Sequence, residues 1–193
     1  VLVDRMGLGG QVINAGVLDS YPGLPDSISG ASFVGRLSDQ ALALDVEPEL
    51  STVQRIESSA GSFMLHTDGH VLGARAAIVA TGGTAIKLGV PGEDRFEGRG
   101  VSHCAVCDGG FFAGQDVIVV GGGDEAFGSA LYLSGQCRSV TIVHRRKGLR
   151  AAAYLQAQVR AQSGIRLLTD TTVAAIRGEG AVQGAVLRDL KSG

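Results

Sequence analysis

The sequence has 193 residues, of which 45% are hydrophobic and 19% charged, enough apolar material for one large or two small cores. Its 17 basic and 19 acidic residues leave a formal net charge of −2, so it lacks the long-range basic field that draws a protein to nucleic acid or to an anionic membrane. No apolar run approaches the roughly 20 residues of a spanning helix, and the chain opens on Val1-Leu2-Val3 rather than a basic signal segment, so a cytoplasmic protein is expected. Three cysteines, an odd number with two at close spacing, suit chemistry better than a disulfide framework. The 30 glycines cluster at the ends of apolar runs, as in α/β nucleotide-binding proteins.

Residues 1–4 read as a short buried strand, followed by a loop that carries Gly7, Gly9, Gly10, Pro22, Gly23 and Pro25. Phe33, Val34, Leu37, Ala41 and Leu44 fall on one helical face, with Ser32 as the expected N-cap. Sequence rich in β-formers covers residues 49–57 and 63–66, then a turn at Asp68-Gly69 and a strand at Val71. Residues 75–80 read as a buried strand that ends on Thr81-Gly82-Gly83, and residues 87–100 turn loop-like. A boundary is expected there, between domains of residues 1–85 and 86–193. The second half alternates: strand 116–120, helix 124–133, strand 139–144, helix 151–162, strand 165–168. Strands 172–176 and 182–187 follow, joined by Gly178-Glu179-Gly180. Alternation of this kind predicts βαβ units and a parallel sheet. No internal repeat or low-complexity tract interrupts it.

The turn Gly121-Gly122-Gly123-Asp124-Glu125-Ala126 follows an apolar strand and opens a helix, the context a dinucleotide pyrophosphate needs. Gly121 permits the tight turn, Gly123 close approach of backbone to phosphate, and Ala126 close helix packing. About 20 residues on, the next strand ends at His144-Arg145-Arg146, where an NAD site would carry an acidic residue on the ribose. Basic residues there suit a 2′-phosphate, hence NADPH, with Arg150 as a third contact.

Cys104 and Cys107, separated by two residues, can close a disulfide and reopen it. A zinc site completed by His103, Cys137 or His144 is a weaker reading, because no second ligand pair occurs, and no metal is expected. Two inert buried thiols are a third reading. Cys137 reads as packing, His103 as a surface residue, and Asp108 either as a proton shuttle or as a cap. A dithiol ahead of a nicotinamide turn suggests electron transfer from nicotinamide to a disulfide.

These segments, with Gly9-Gly10-Gln11, Tyr21-Pro22-Gly23, Ala80-Thr81-Gly82, Leu88-Gly89-Val90-Pro91-Gly92-Glu93, the run from Gly98 to Gly109, and Ala130-Leu131-Tyr132-Leu133, resemble the low-molecular-weight thioredoxin reductase family over essentially the whole chain. The resemblance implies an α/β fold of two Rossmann-like three-layer (ββα) nucleotide-binding domains, with an NADPH domain inserted into an FAD domain. It also implies FAD and NADPH as cofactors, a homodimer, and electrons passing from NADPH through FAD and the dithiol to thioredoxin or a thioredoxin-like protein. Carried over by position, Cys107 is the flavin-proximal sulfur, Cys104 the sulfur that attacks the partner disulfide, and Asp108 the acid. Asp4, Gly10, Gln11, Val53, Ala80, Thr81 and Gly82 would lie along FAD.

The family's N-terminal Gly-x-Gly-x-x-Gly turn and C-terminal Gly-Asp segment have no counterpart here, so an interior piece with an incomplete FAD domain is expected. Ser20, Gly128-Ser129 and Lys147 depart from the family pattern. Two other functions fit the same residues: a related dithiol oxidase or peroxiredoxin-reducing flavoprotein, and a truncated or degenerate non-catalytic NADP-binding module.

Overall fold

The computed structural model describes residues 1–18, 21–24, 27–59 and 61–192, so Ser20 and Pro25 lie outside the described residues. The chain is α/β and divides into two compact units, Val1–Thr84 and Ala85–Gly193. In the first, β1 (Leu2–Asp4) leads through a 3-10 turn (Gly10–Asn14) to α1 (Gly30–Leu42), and β2 (Pro48–Leu50) pairs parallel with β1. The helix begins one turn's width earlier than Ser32 predicts: Ser29 is the N-cap, its hydroxyl accepting the Ser32 N–H at 3.2 Å. Gly30 fits that first turn because a Cβ would lie 1.9 Å from the Val12 carbonyl oxygen. Phe33 and Val34 are buried as expected, but Leu37 is half-exposed and Leu44 lies beyond the helix, before Asp45 turns the chain at φ 57°.

An antiparallel meander of β3 (Val53–Ser59), β4 (Ser62–Thr67) and β5 (Val71–Ala74) follows. The single strand expected over residues 49–57 is therefore two, because Leu50 pairs parallel with β1 whereas Val53 pairs antiparallel with Thr67. Asp68 holds the turn by accepting the Thr52 N–H at 3.1 Å and the Gln54 side chain at 2.7 Å. Residues 75–80 are not a strand, which corrects the expectation. Their apolar run is the pattern of a strand paired on both sides, but no described strand runs beside them, and Ile78 is 95% exposed.

In the second unit, residues 88–101 are stitched to a hairpin at the far end of the chain. Glu93 is buried and its carboxylate accepts the N–H groups of Leu88 and Gly89 at 2.8 and 2.7 Å. After α2 (Ala105–Asp108) and a 3-10 turn (Gly109–Phe112) come β6 (Asp116–Val120), α3 (Asp124–Ser134), β7 (Ser139–Val143), α4 (Ala153–Ala161) and β8 (Ile165–Leu168). The three strands form a parallel, Rossmann-like sheet in the order β6-β7-β8, and β9 (Thr171–Gly178) and β10 (Val182–Asp189) make the hairpin. Pro91 and Arg99 carbonyls accept the N–H groups of Ile176 and Val182 at 2.8 and 2.9 Å. Phe127, Ala130 and Leu133 of α3 pack with Val140 and Ile142 of β7 and Leu155 and Val159 of α4. Among the described residues no helix is long and apolar enough to cross a membrane.

One carboxylate ties the ends of β6 and β7 together. Asp116 accepts the Arg138 Nε–H at 2.9 Å and the Ser139 hydroxyl at 2.7 Å, and pairs with the Arg138 Nη2 as well. The Arg138 guanidinium and then the Ser139 hydroxyl hold its carboxyl at about 2, below its ordinary 3.8. A depressed carboxylate stabilises the fold above its unfolded pKa and ceases to do so as pH falls through the folded one. The urea midpoint should therefore fall between about pH 4 and 2, and Asp116→Asn should flatten that fall. Phe127, fully buried, should cost about 3 to 5 kcal/mol when replaced by alanine, read from urea unfolding at neutral pH.

Candidate active site

The parallel register pairs Val120 with Val143, so β6 and β7 end side by side and Gly121 and His144 follow together. Gly121 donates its N–H to the Val143 carbonyl at 3.0 Å, and a Cβ there would sit 2.6 Å from that of Ala126. Ala126 therefore takes up the close helix packing, as the spacing predicts. A Cβ on Gly122 would lie 2.5 Å from the His144 ring. Gly123 is the N-cap of α3, whose 11 residues leave unpaired N–H groups facing the turn. Asp124 accepts the Ala152 N–H at 2.7 Å, which ties the start of α3 to the start of α4, while Glu125 is exposed.

Arg145, Arg146 and Arg150 are all exposed, and among the described residues none forms an ion pair with a carboxylate. The loop that carries them bends back to the glycine turn, where the Gly122 carbonyl accepts the N–H groups of Arg150 and Ala151 at 2.7 and 3.0 Å. His144 is different in kind. Its ring is buried against Gly122, and its Nε2 lies 3.1 Å from the Gly148 carbonyl.

Cys104 and Cys107 are joined as a disulfide, with Cα atoms 5.3 Å apart. Cys104 caps α2, and the Cys107 N–H donates to its Sγ at 3.1 Å. The Ser102 hydroxyl donates to the Asp108 carboxylate at 2.6 Å and also accepts the Cys104 N–H at 3.0 Å, so Asp108 is fixed beside the dithiol. His103 turns to Glu97, its Nε2 3.3 Å from the carboxylate. Gly109 seats the motif on α3: a Cβ there would lie 2.8 Å from Leu133 and 3.3 Å from Tyr132. Cys137 packs against the core, and burial pushes its thiol pKa up. Among the described residues no group of three or more His, Cys, Asp or Glu is placed to hold a metal.

Sequence reasoning passed over Ser102, Gly109 and Phe111. The last is 78% exposed beside a groove lined by Gly100, Ser102, Asp108, Phe112 and Val182. A hydroxyl two positions before the first cysteine and an aromatic pair after a double glycine were the available signals.

In the first unit, Asp4 accepts the N–H groups of Met6 and Gly7 at 2.9 and 3.1 Å, shaping the turn ahead of Gly9 and Gly10, which both take positive φ. The Gln11 side chain donates to the Gly83 carbonyl and joins that turn to the segment of Ala80, Thr81 and Gly82. Among the described residues those three make no backbone–backbone hydrogen bond. Val53 stands at the start of β3, paired with Thr67.

The pyridine nucleotide-disulphide oxidoreductase family model matches residues 2–192. Over 187 residues the chain is 42% identical to a thioredoxin reductase of Streptomyces clavuligerus, covering 96% of this chain and 58% of that one. It is 38% identical over 187 residues to a bifunctional thioredoxin reductase/thioredoxin of Mycobacterium leprae, covering 96% of this chain and 41% of that protein. The crystal structure of Lactococcus lactis thioredoxin reductase superposes with a TM-score of 0.96 at 36% identity, covering all of this chain and 63% of that one. The chain thus spans less than two thirds of the length of these relatives.

The disulfide gives a direct prediction. Alkylation of the unfolded, unreduced protein followed by peptide mapping should modify Cys137 alone among the three cysteines of this sequence, and prior dithiothreitol should expose Cys104 and Cys107 as well.

Proposed function

The chain belongs to the pyridine nucleotide-disulphide oxidoreductase family, and on that premise we propose that it is the dithiol-bearing part of an NADPH- and FAD-dependent disulfide reductase acting on thioredoxin or a thioredoxin-like protein. The single observation that carries the reading is the Cys104–Cys107 disulfide with Asp108 fixed beside it by Ser102. Both cofactors fit the residues present. Gly121 and Gly122 leave no room for a Cβ, the helix N-terminus favours a pyrophosphate, and the exposed Arg145, Arg146 and Arg150 favour the 2′-phosphate of NADPH. The backbone of Ala80, Thr81 and Gly82, next to the Gly83 carbonyl that accepts from the Gln11 side chain, fits a flavin, with Asp4, Gly10 and Val53 on the same unit. Bound FAD would relay an electron pair from NADPH to the disulfide.

Two electrons and two protons convert the disulfide to a dithiol. The Cys107 N–H aimed at the Cys104 sulfur favours the thiolate there, which marks Cys104 as the attacking group. Cys104 then bonds to one sulfur of the partner's disulfide, and the other leaves as a thiolate whose proton Asp108 supplies. Attack by the Cys107 thiolate on the Cys104 sulfur re-forms the disulfide and releases the reduced partner. Exposed Phe111 beside the dithiol gives that partner an apolar contact. The M. leprae relative, named as reductase and thioredoxin in one protein, supports this choice of partner.

The test uses the full-length protein with thioredoxin disulfide as substrate. Cys104→Ser should abolish disulfide reduction and keep NADPH binding; wild-type turnover in that variant would overturn the dithiol role. Replacing Arg145 and Arg146 together by alanine should lower the NADPH-over-NADH preference in kcat/KM by about 100-fold or more, because each charge-assisted contact contributes roughly 1.5 to 3 kcal/mol. Colourless protein that binds NADPH and reduces nothing would favour the non-catalytic module.

A further inference from the structure

His144 sits at the meeting point of the glycine turn and the arginine loop, and its backbone N–H, its carbonyl and its Nε2 each have a partner within the protein. Its backbone N–H donates to the Leu168 carbonyl at 2.8 Å, and its own carbonyl accepts the Thr171 N–H at 3.0 Å, which locks the residue between β8 and β9. The residue is buried, with only 7% of its surface accessible. Nε2 faces a carbonyl oxygen, that of Gly148 at 3.1 Å, so it must carry the hydrogen and donate. Nδ1, Cγ and Cε1 lie under Gly122, so close that a Cβ on that glycine would approach each to 2.5 or 2.6 Å.

The loop of residues 145–150 is tethered at three places, one of them the Arg146 carbonyl, which accepts the Asp170 N–H at 3.5 Å. Its far end is held by the Gly122 carbonyl, through Arg150 and Ala151, and Gly148 is held by the His144 ring. These last two tethers meet at the glycine turn: one at its carbonyl, the other at the ring packed beneath it. Among the described residues no carboxylate pairs with the three arginines between and beside the tethers, and the loop's backbone sets where they start from.

We infer that His144 is a positioning residue, which shapes the loop that presents Arg145, Arg146 and Arg150 to a 2′-phosphate and does not touch the phosphate itself. The inference rests on the NADPH reading above and assigns that site a mechanism of selectivity: discrimination for the 2′-phosphate depends on the Nε2 donor held beneath the glycine turn. The donation to Gly148 holds the loop, and the ring's bulk supports Gly122. Glutamine can place an N–H near the Nε2 position, whereas phenylalanine keeps the bulk and loses the donor.

The test measures binding of 2′,5′-ADP and of 5′-ADP to the full-length protein by calorimetry, for the wild type and for His144→Phe and His144→Gln. The wild type should prefer 2′,5′-ADP. In His144→Phe that preference should fall about five-fold or more, the effect of losing one hydrogen bond, while 5′-ADP binding stays within two-fold; His144→Gln should restore most of the preference. An unchanged preference in His144→Phe would overturn the inference and leave the NADPH reading standing. Equal loss of both ligands in His144→Phe, without rescue by glutamine, would mean a merely structural role and would also overturn it. A wild type with no preference for 2′,5′-ADP would overturn the NADPH reading first, and this inference with it. Direct contact with the phosphate is excluded or shown by the ring nitrogen NMR signals: they should move equally with the two ligands, and a larger shift with 2′,5′-ADP would overturn the positioning role.

Discussion

The in-register parallel pairing of β6 and β7 is the constraint on which the functional half depends. Asp116, first in β6, is bonded to Arg138 and Ser139 at the start of β7, so the two strands begin level and finish level. Because they finish level, Gly121 leaves one strand beside His144 leaving the other. A slip by one residue would turn Val140 and Ile142 out of the core and separate the glycine turn from the arginine loop. The short contacts around Gly121 and Gly122 are then consequences of the ladder rather than independent features.

The dithiol inherits its position from the same scaffold through α3. The first turn of that helix carries Ala126 against Gly121, its buried middle carries Phe127 and Ala130, and its last turn carries Tyr132 and Leu133 against Gly109. A short helix of four residues cannot hold a reactive pair by itself. Gly109 allows it to lie directly on a larger helix, and the Ser102 bridge to Asp108 fixes the remaining freedom.

What the amino-acid sequence reveals follows from where each segment finds its partners. The strands and helices between residues 116 and 168 are legible because each apolar strand is buried against its neighbours in the chain, so period and partner agree. Residues 75–80 carry the same apolar signal without a described strand beside them, and pattern alone cannot distinguish the two cases. Ser29 and Ser32 are equal caps by residue type; the choice was made by Gly30 pressed on the Val12 carbonyl, a contact between distant segments. The cysteines, Asp108 and the arginines were visible as chemistry. The burial of His144 was not, since a histidine before two arginines reads as a third cation until the ring is seen under Gly122.

The arginine loop meets the glycine turn at the N-terminal end of α3, and the dithiol is seated at its C-terminal end, 11 residues or about 16 Å away along the helix. No contact described above joins the two. Substitutions in the loop of residues 145–150 therefore leave the seat of the Cys104–Cys107 disulfide on α3 untouched. Leu133 supports both the core and Gly109, so a change there reaches both.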